Sequence, residues 1–319
     1  MSAPRASVVL ATHDRADRLA ALLDGLRAQT ADGFEVVVVD DASTDDTPRV
    51  LREEAARGDL ELRTVRFEAN RGPAAARNAG WRAARAPFVA FTDDDCVPSP
   101  GWLEAMLEAH SQQPAALVQG RTDPHPDELH ADGPFSRTLR VHRAGPHFQT
   151  CNVAYPRALL ERLGGFDEVT FTVPGGEDAD LAWRALGDGV PVAFSQRAQV
   201  FHAVSRLGAL GKLRVAWRWS ETMRIYARYP RLRRDSLLYG VFWKGTHYLL
   251  ARWLLSLLVG RRSRLLAAWL GWPYLSHLLA DRWREDGGTP LHAPWYLLHD
   301  VVEMAAVLRG AVRYRVFVL

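Results

Sequence analysis

Cysteine is scarce in this chain. Only Cys96 and Cys151 occur, too few for a disulfide framework and without the spacing of a metal knuckle or redox pair, so a reducing cytoplasm fits best. No basic segment, long apolar run and cleavage site stand in order near the start. The chain passes from Met1 almost at once into the apolar run Ala6–Ala11, and nothing argues for secretion. Long charge-free apolar stretches are lacking too. Ser236–Gly260 has the length of a membrane span but contains Lys244, His247 and Arg252, and a basic residue at a helix centre costs about 2.5–3.5 kcal/mol on insertion. Leu265–Ala280 carries no formal charge, yet it is shorter than the ~20 residues a span requires and is broken by Pro273. A crossing segment is not favoured. Internal repeats and low-complexity tracts are also missing.

What is present is ordinary globular material: 319 residues, 48% hydrophobic and 24% charged, enough for one large domain or two smaller ones. The net charge of +3 conceals an asymmetry. Residues 1–202 hold 21 Lys+Arg against 30 Asp+Glu, and residues 203–319 hold 19 against 7. Eight of the eleven tryptophans, from Trp217 onward, lie in the basic part. The composition changes near residue 203, which places a domain boundary there.

The first two hundred residues alternate short β-branched runs with helical periods. Strands are expected at Ala6–Ala11, Phe34–Asp40, Leu60–Arg66 and Phe88–Thr92, and helices at Ala16–Ala28, Thr47–Arg57, Pro73–Ala84 and Gly101–Gln113. This alternation predicts an α/β fold, a mostly parallel sheet covered by helices. Val36–Val39 and Phe88–Phe91 are continuously apolar, as strands buried on both faces are, and each is followed by acidic residues. In an open α/β sheet the carboxyl ends of the strands form the ligand crevice, so Asp40, Asp41 and Asp93–Asp95 should face it. Periodicity fails from Thr122 to Phe148, which suggests a long loop or an insertion at the site. It returns with a helix at Pro156–Leu163, a turn at Gly164–Gly165, a helix near Asp178–Leu186, and two short strands, Val190–Phe194 and Gln199–His202. Beyond that the chain reads as helix, with charged positions 214, 218, 221, 224 and 228 spaced by three and four.

Several clusters could carry chemistry. Asp93-Asp94-Asp95 ends a buried strand; three adjacent carboxylates repel one another unless solvated or neutralised by a cation, and hard divalent metals prefer carboxylate oxygens. A solvated loop or helix cap is the alternative. Asp40–Asp45 (DDASTD) follows another buried strand, and Asn70-Arg71-Gly72 precedes a helix carrying Arg77 and Asn78. Gly175-Gly176 opens a helix with Glu177, Asp178 and Asp180 in its first turn, which capping alone could explain. His202 closes the acidic part.

Taken in order, Ala6–Thr12 with Asp14, Val37–Asp46 (VVVDDASTDD), Asn70–Asn78 (NRGPAAARN), Phe91–Asp95 (FTDDD), Asn152–Asp167, Gly176–Arg184 (GEDADLAWR) and Val200–His202 resemble the motifs of family 2 glycosyltransferases, over roughly residues 5–205. The resemblance implies a GT-A fold and an inverting transfer from a nucleotide-sugar, UDP- or dTDP-linked, using a DxD motif and Mg²⁺ or Mn²⁺. It places Thr12, Asp14 and Asp41 around the base and ribose, and Arg77 and Asn78 on the diphosphate side. Asp93 and Asp95 form the DxD, with Asp94 between them on the nucleotide side. The triple Asp, where many relatives have an interrupted run, leaves its register open by one residue. Asp95 and His202 are the implied metal ligands and Asp178 the catalytic base, with Asn152 and Glu177 shaping the sugar and acceptor pocket. By resemblance the acceptor is a lipid-linked or cell-envelope glycan.

A nucleotidyltransferase would instead show a Gly-rich, Arg/Lys-containing loop after the first strand, and Ala11–Arg15 (ATHDR) is not one. A non-catalytic nucleotide-sugar-binding or membrane scaffold protein on the same fold should have lost either the acidic cluster or the base, and both are kept. The basic, Trp-rich region 203–319 suggests an interfacial surface, a peripheral contact at the inner face of the cell membrane; a helical domain with a solvated basic face is the alternative. No nucleic-acid-binding motif is present.

Overall fold

The computed structural model describes residues 3–285 and 287–319. The chain divides into two compact units, one formed by residues up to Asp127 and Leu139–Ala203, the other by Glu128–Thr138 and Val204–Leu319.

In the first unit the expected α/β alternation forms: β1 (Ala6–Thr12), α1 (Ala16–Arg27), β2 (Phe34–Asp40), α2 (Thr47–Arg57), β3 (Leu62–Arg66), α3 (Pro73–Ala83) and β4 (Phe88–Thr92). Then follow β5 (Cys96–Pro98), α4 (Trp102–Gln112) and β6 (Leu117–Pro124). The two-residue β7 (Ser136–Arg137) belongs to the second unit, and β8 (Asn152–Pro156), α5 (Arg157–Leu163), α6 (Glu177–Gly187) and β9 (Val192–His202) complete the first. The sheet order is β3-β2-β1-β4-β8-β6-β9-β5. Strands β3, β2, β1 and β4 are parallel; β8 runs antiparallel to both β4 and β6, β9 is parallel to β6, and β5 is antiparallel to β9. The sheet is therefore mixed. Following these directions, β9 ends on the same sheet edge as β1, β2 and β4.

The continuous valine runs have the two-sided burial expected of them. Val8, Leu10, Val36 and Val38 pack with Leu19, Leu22, Leu23 and Leu26 of α1 and Trp102 and Met106 of α4 in one core. Val9 and Val39 face α3 instead, and a Cβ on Gly80 would meet their methyls at 2.4 and 3.2 Å. Gly80 thus lets α3 lie directly on the sheet. Each such fully buried side chain contributes about 1.5–3 kcal/mol relative to exposure.

Two expectations change. Val190–Phe194 and Gln199–His202 are parts of a single strand, β9, because residues 196–198 bulge out where its pairing jumps from Gly120↔Ser195 to Arg121↔Gln199. Strand β6 and strand β8 occupy stretches in which no strand was expected. Gly120 interrupts the pattern of β6, and the reason is steric: a Cβ there would lie 2.3 Å from the Ala198 carbonyl oxygen.

The second unit pairs β7 with β10 (Ser205–Arg206) and is otherwise helical: α7 (Gly208–Arg228), α8 (Pro230–Ser236), α9 (Gly245–Val259), α10 (Arg264–Ser276), a π-helical turn (His277–Asp281), α11 (Arg282–Glu285) and α12 (Ala293–Arg313). Pro273 does not break its segment but lies inside α10. Proline frees the carbonyl four residues earlier, and here Arg252 Nη2 of α9 donates to that Trp269 oxygen at 3.1 Å. Among the described residues no helix is long and apolar enough to cross a membrane. The α9–α10 hairpin nonetheless presents Leu257, Leu258, Leu265, Trp269 and Trp272 to solvent.

Candidate active site

The crevice is built where β1, β2, β4 and β9 end. The loops after β1 and β2 hold each other. Asp14, in the left-handed region at φ 52, accepts the N–H groups of Thr44 and Asp45 at 2.6 and 3.2 Å, and the Thr44 N–H holds its carboxyl below the usual range. In return Asp45 accepts the Ala16 N–H at 3.1 Å, capping α1, whose N-cap residue Arg15 makes no side-chain cap. Asp41 is buried and accepts the N–H groups of Arg71 and Gly72 at 2.7 and 2.9 Å. Thr12 is buried at the end of β1, its carbonyl accepting the Asp41 N–H at 2.9 Å.

Arg77, buried on α3, gathers the acidic groups. Its Nη2 donates to Asp93 Oδ1 at 2.8 Å, its Nη1 to Glu177 Oε1 at 3.2 Å, and Nη1 lies 3.5 Å from Asp178 Oδ1. Burial works against its charge, but Asp93, Asp178 and Glu177 together outweigh this and raise its pKa. Asp178 is itself pushed up to about 7, by burial first and then by the Glu177 charge, with Arg77 opposing. The Thr150 N–H donates to its Oδ2 at 3.0 Å. Asp94 is also pushed up to about 7 by burial and by the neighbouring Asp95 charge, against the pull of the Thr12 hydroxyl.

Asp95 and His202 meet because β5 pairs Cys96 with His202. The His202 Nδ1 lies 2.8 Å from the Ala203 carbonyl oxygen. A carbonyl only accepts, so Nδ1 carries a hydrogen, and in the neutral imidazole Nε2, 3.6 Å from Asp95 Oδ1, offers a lone pair. An imidazole nitrogen and a carboxylate oxygen facing each other fit a divalent cation. Cys96 lies within the same small cluster; its hydrogen bond with Cys151, together with burial, raises its pKa well above the ordinary value.

Asn78 and Asn152, both expected at the pocket, have their amides engaged by neighbouring protein groups. Asn78 is fully buried; its amide donates to the Phe166 carbonyl at 2.8 Å and its oxygen accepts from Phe166 N–H and Trp81 Nε1, both at 2.9 Å. It clamps the Gly164–Gly165 turn, where Gly165 has φ 75 and a Cβ would strike Asn78 Oδ1 at 2.3 Å. Asn152 is likewise fully engaged, accepting from Trp102 Nε1 at 2.8 Å and donating to the Arg121 and Ala198 carbonyls at 2.7 and 2.9 Å. It ties the β6–β9 bulge. Glu177 orients Arg77 and accepts the Gly175 N–H at 2.8 Å. Thr150, which positions Asp178, was not anticipated, because it acts through a backbone N–H that no residue type announces. Nor was a cavity of about 300 Å³ lined by Arg140, His142, Arg143 and Gln149 among others, just ahead of Thr150 in the chain.

The sequence pattern described as Glycosyl transferase family 2 matches residues 7–166. Validoxylamine A glucosyltransferase of Streptomyces hygroscopicus subsp. jinggangensis is 36% identical over a match covering 61% of this chain and 54% of that protein. The pre-mycofactocin glycosyltransferase of Mycobacterium tuberculosis is 31% identical, over 61% of this chain and 42% of its own. The chain thus spans about half the length of these curated relatives. Among solved structures, mannosyltransferase PcManGT from Pyrobaculum calidifontis, in complex with GDP-Man and Mn²⁺, superposes with a TM-score of 0.68 at 23% identity, covering 97% of this chain and 87% of that one. S. aureus TarS 1–349 in complex with UDP gives 0.52 at 18% identity, covering 97% and 91%. With half of its length matched by the family pattern and its sheet ending in the acidic crevice described above, the chain belongs to glycosyl transferase family 2 and has the GT-A fold.

Proposed function

We propose that this chain is an inverting glycosyltransferase that moves a sugar from a nucleoside diphosphate to an acceptor hydroxyl, with Asp178 as general base and Asp95 and His202 as ligands of a divalent cation. Arg77 carries this reading: its guanidinium contacts both Asp93, beside the proposed metal position, and Asp178, so donor-side and acceptor-side groups converge on one point. Mg²⁺ or Mn²⁺ bound by Asp95 and His202 would act as a Lewis acid toward the departing diphosphate. The protein supplies the rest. Thr150 and Arg77 fix the Asp178 carboxylate, and a pKa near 7 suits a group that takes a proton at neutral pH. A single displacement with base and leaving group on opposite faces inverts the anomeric carbon. The basic cavity along residues 140–149 suits an anionic part of the acceptor, in keeping with a lipid-linked or cell-envelope substrate.

We favour UDP or dTDP as the donor nucleotide. Each Asp41 oxygen accepts one backbone N–H and retains a further lone pair for the N–H of a uracil or thymine ring. In thermal unfolding with UDP, dTDP or GDP, with and without Mn²⁺, one of the first two with Mn²⁺ should raise the midpoint most. A larger shift with GDP would reverse the base assignment. No shift with any of them would favour a non-catalytic scaffold.

The second unit we read as a peripheral membrane contact at the inner membrane face. The exposed leucines and tryptophans of α9 and α10 flank Arg261, Arg262 and Arg264 at the hairpin turn, joining apolar area to charge that attracts anionic lipid at about 1 kcal/mol per residue. Full-length protein should float with anionic but not neutral vesicles and be released as salt rises. Indifference to vesicle charge would remove this reading.

A further inference from the structure

We propose a second metal site, for a zinc-like divalent cation, in the helical unit, between α9 and α12. His299, Asp300 and Glu303 of α12 are all buried and bring ligand atoms within 4.8 Å of one another. His299 and Glu303 share a helix face through their four-residue spacing. From α9, His247 is 0% exposed, makes no hydrogen bond through either ring nitrogen, and points Nε2 at Glu303 Oε2, 3.4 Å away.

Each carboxylate is used in the same way. One oxygen is held by a donor: Tyr274 hydroxyl to Asp300 Oδ2 at 3.1 Å, and Lys244 Nζ to Glu303 Oε1 at 2.7 Å. The other is turned toward an imidazole nitrogen, Asp300 Oδ1 lying 3.8 Å from His299 Nδ1. Neither of those two atoms has a hydrogen-bond partner. Buried unpaired polar atoms are rare in folded proteins, and here Asp300 Oδ1 and His299 Nδ1 lie in one cluster with the Glu303 carboxylate. A cation held by His299, Asp300 and Glu303 would satisfy both unpaired atoms. An imidazole nitrogen beside two carboxylates favours Zn²⁺ over Mg²⁺, and three protein ligands leave the fourth tetrahedral position to water. Tyr274 and Lys244 orient the ligating carboxylates as outer donors do in metal sites. Arg282 Nη2, 3.9 Å from Asp300 Oδ1, is the nearby charge the ion must tolerate. A cavity of about 470 Å³, lined by Lys244, His277, Arg282 and Glu303 among others, gives entry.

The test uses full-length protein carrying Asp95→Ala, which removes the proposed catalytic metal position. After chelation it should bind one equivalent of Zn²⁺ in calorimetry, gain thermal stability from it, and give with Co²⁺ the intense visible bands of tetrahedral coordination. Glu303→Gln combined with His299→Ala should abolish all three while far-UV circular dichroism is kept. If that double variant does not fold, the titration of the Asp95→Ala protein decides alone. No bound equivalent, or only the pale spectrum of octahedral Co²⁺, overturns the site and makes the cluster an ion-pair network bridged by protonated imidazoles.

Discussion

Asp178→Asn should lower turnover by about 10²–10⁴-fold, the usual worth of a positioned general base, and leave nucleotide affinity unchanged. Asparagine keeps the shape of the side chain and an oxygen to accept the Thr150 N–H now bound by Oδ2, but it cannot take the acceptor proton. In the wild type, kcat should rise through about pH 7 as Asp178 ionises, and this limb should vanish from the residual activity of the variant. Stability must move the other way. A folded-state pKa raised above the unfolded value means the folded chain binds more protons between about pH 4 and 7, so this group's contribution to stability is full below that window and is lost as pH rises through it. The variant, which cannot ionise, should therefore gain on the wild type in denaturant midpoint between those pH values. Wild-type-like turnover in the variant would remove Asp178 from the role of base.

Asp95→Ala should lower turnover by at least about 10³-fold, since Lewis-acid stabilisation of a leaving group is worth several kcal/mol. It should also erase the dependence of nucleotide binding on Mn²⁺. Asp95 is half-buried, and its backbone oxygen, not its carboxylate, accepts the Ala203 N–H at 2.8 Å, so the substitution leaves the β5–β9 edge intact. His202→Ala should weaken metal dependence less, because a water can replace a neutral imidazole more readily than a carboxylate. Chelator titrations of donor binding separate the two. Full activity of Asp95→Ala in chelator would end the metal assignment.

The alternation of β1, β2 and β4 with α1 to α3 was legible because both faces of those strands are buried and their apolar runs are unbroken. Strands β6 and β8 were not, since β6 must carry Gly120 against the bulge in β9 and β8 begins with Asn152. That Asp95 and His202 lie together was implied only by the resemblance to family 2 glycosyltransferases, and the pairing of Cys96 with His202 brings them close. What residue types could not disclose is which polar groups are already engaged. Asn78 and Asn152 stand within motifs, as Asp95 does, but each has both ends of its amide committed to neighbouring backbone and tryptophan side chains. A carboxylate held by backbone N–H groups, as in Asp41, and one raised by burial, as in Asp178, are written with the same letter.

The two borders of the eight-stranded sheet also bear on how this molecule behaves in crowded solution. Strand β3, at one border, carries exposed Arg63, Thr64 and Arg66 among its five residues. Strand β5, at the other, has three residues and ends in Pro98, which has no N–H to offer. An incoming strand would have to place its backbone beside two guanidinium groups, or dock on a rung too short to hold it. The catalytic unit therefore resists edge-to-edge polymerisation from either border, and concentrating it should not seed β-rich aggregates as long as the native sheet is intact.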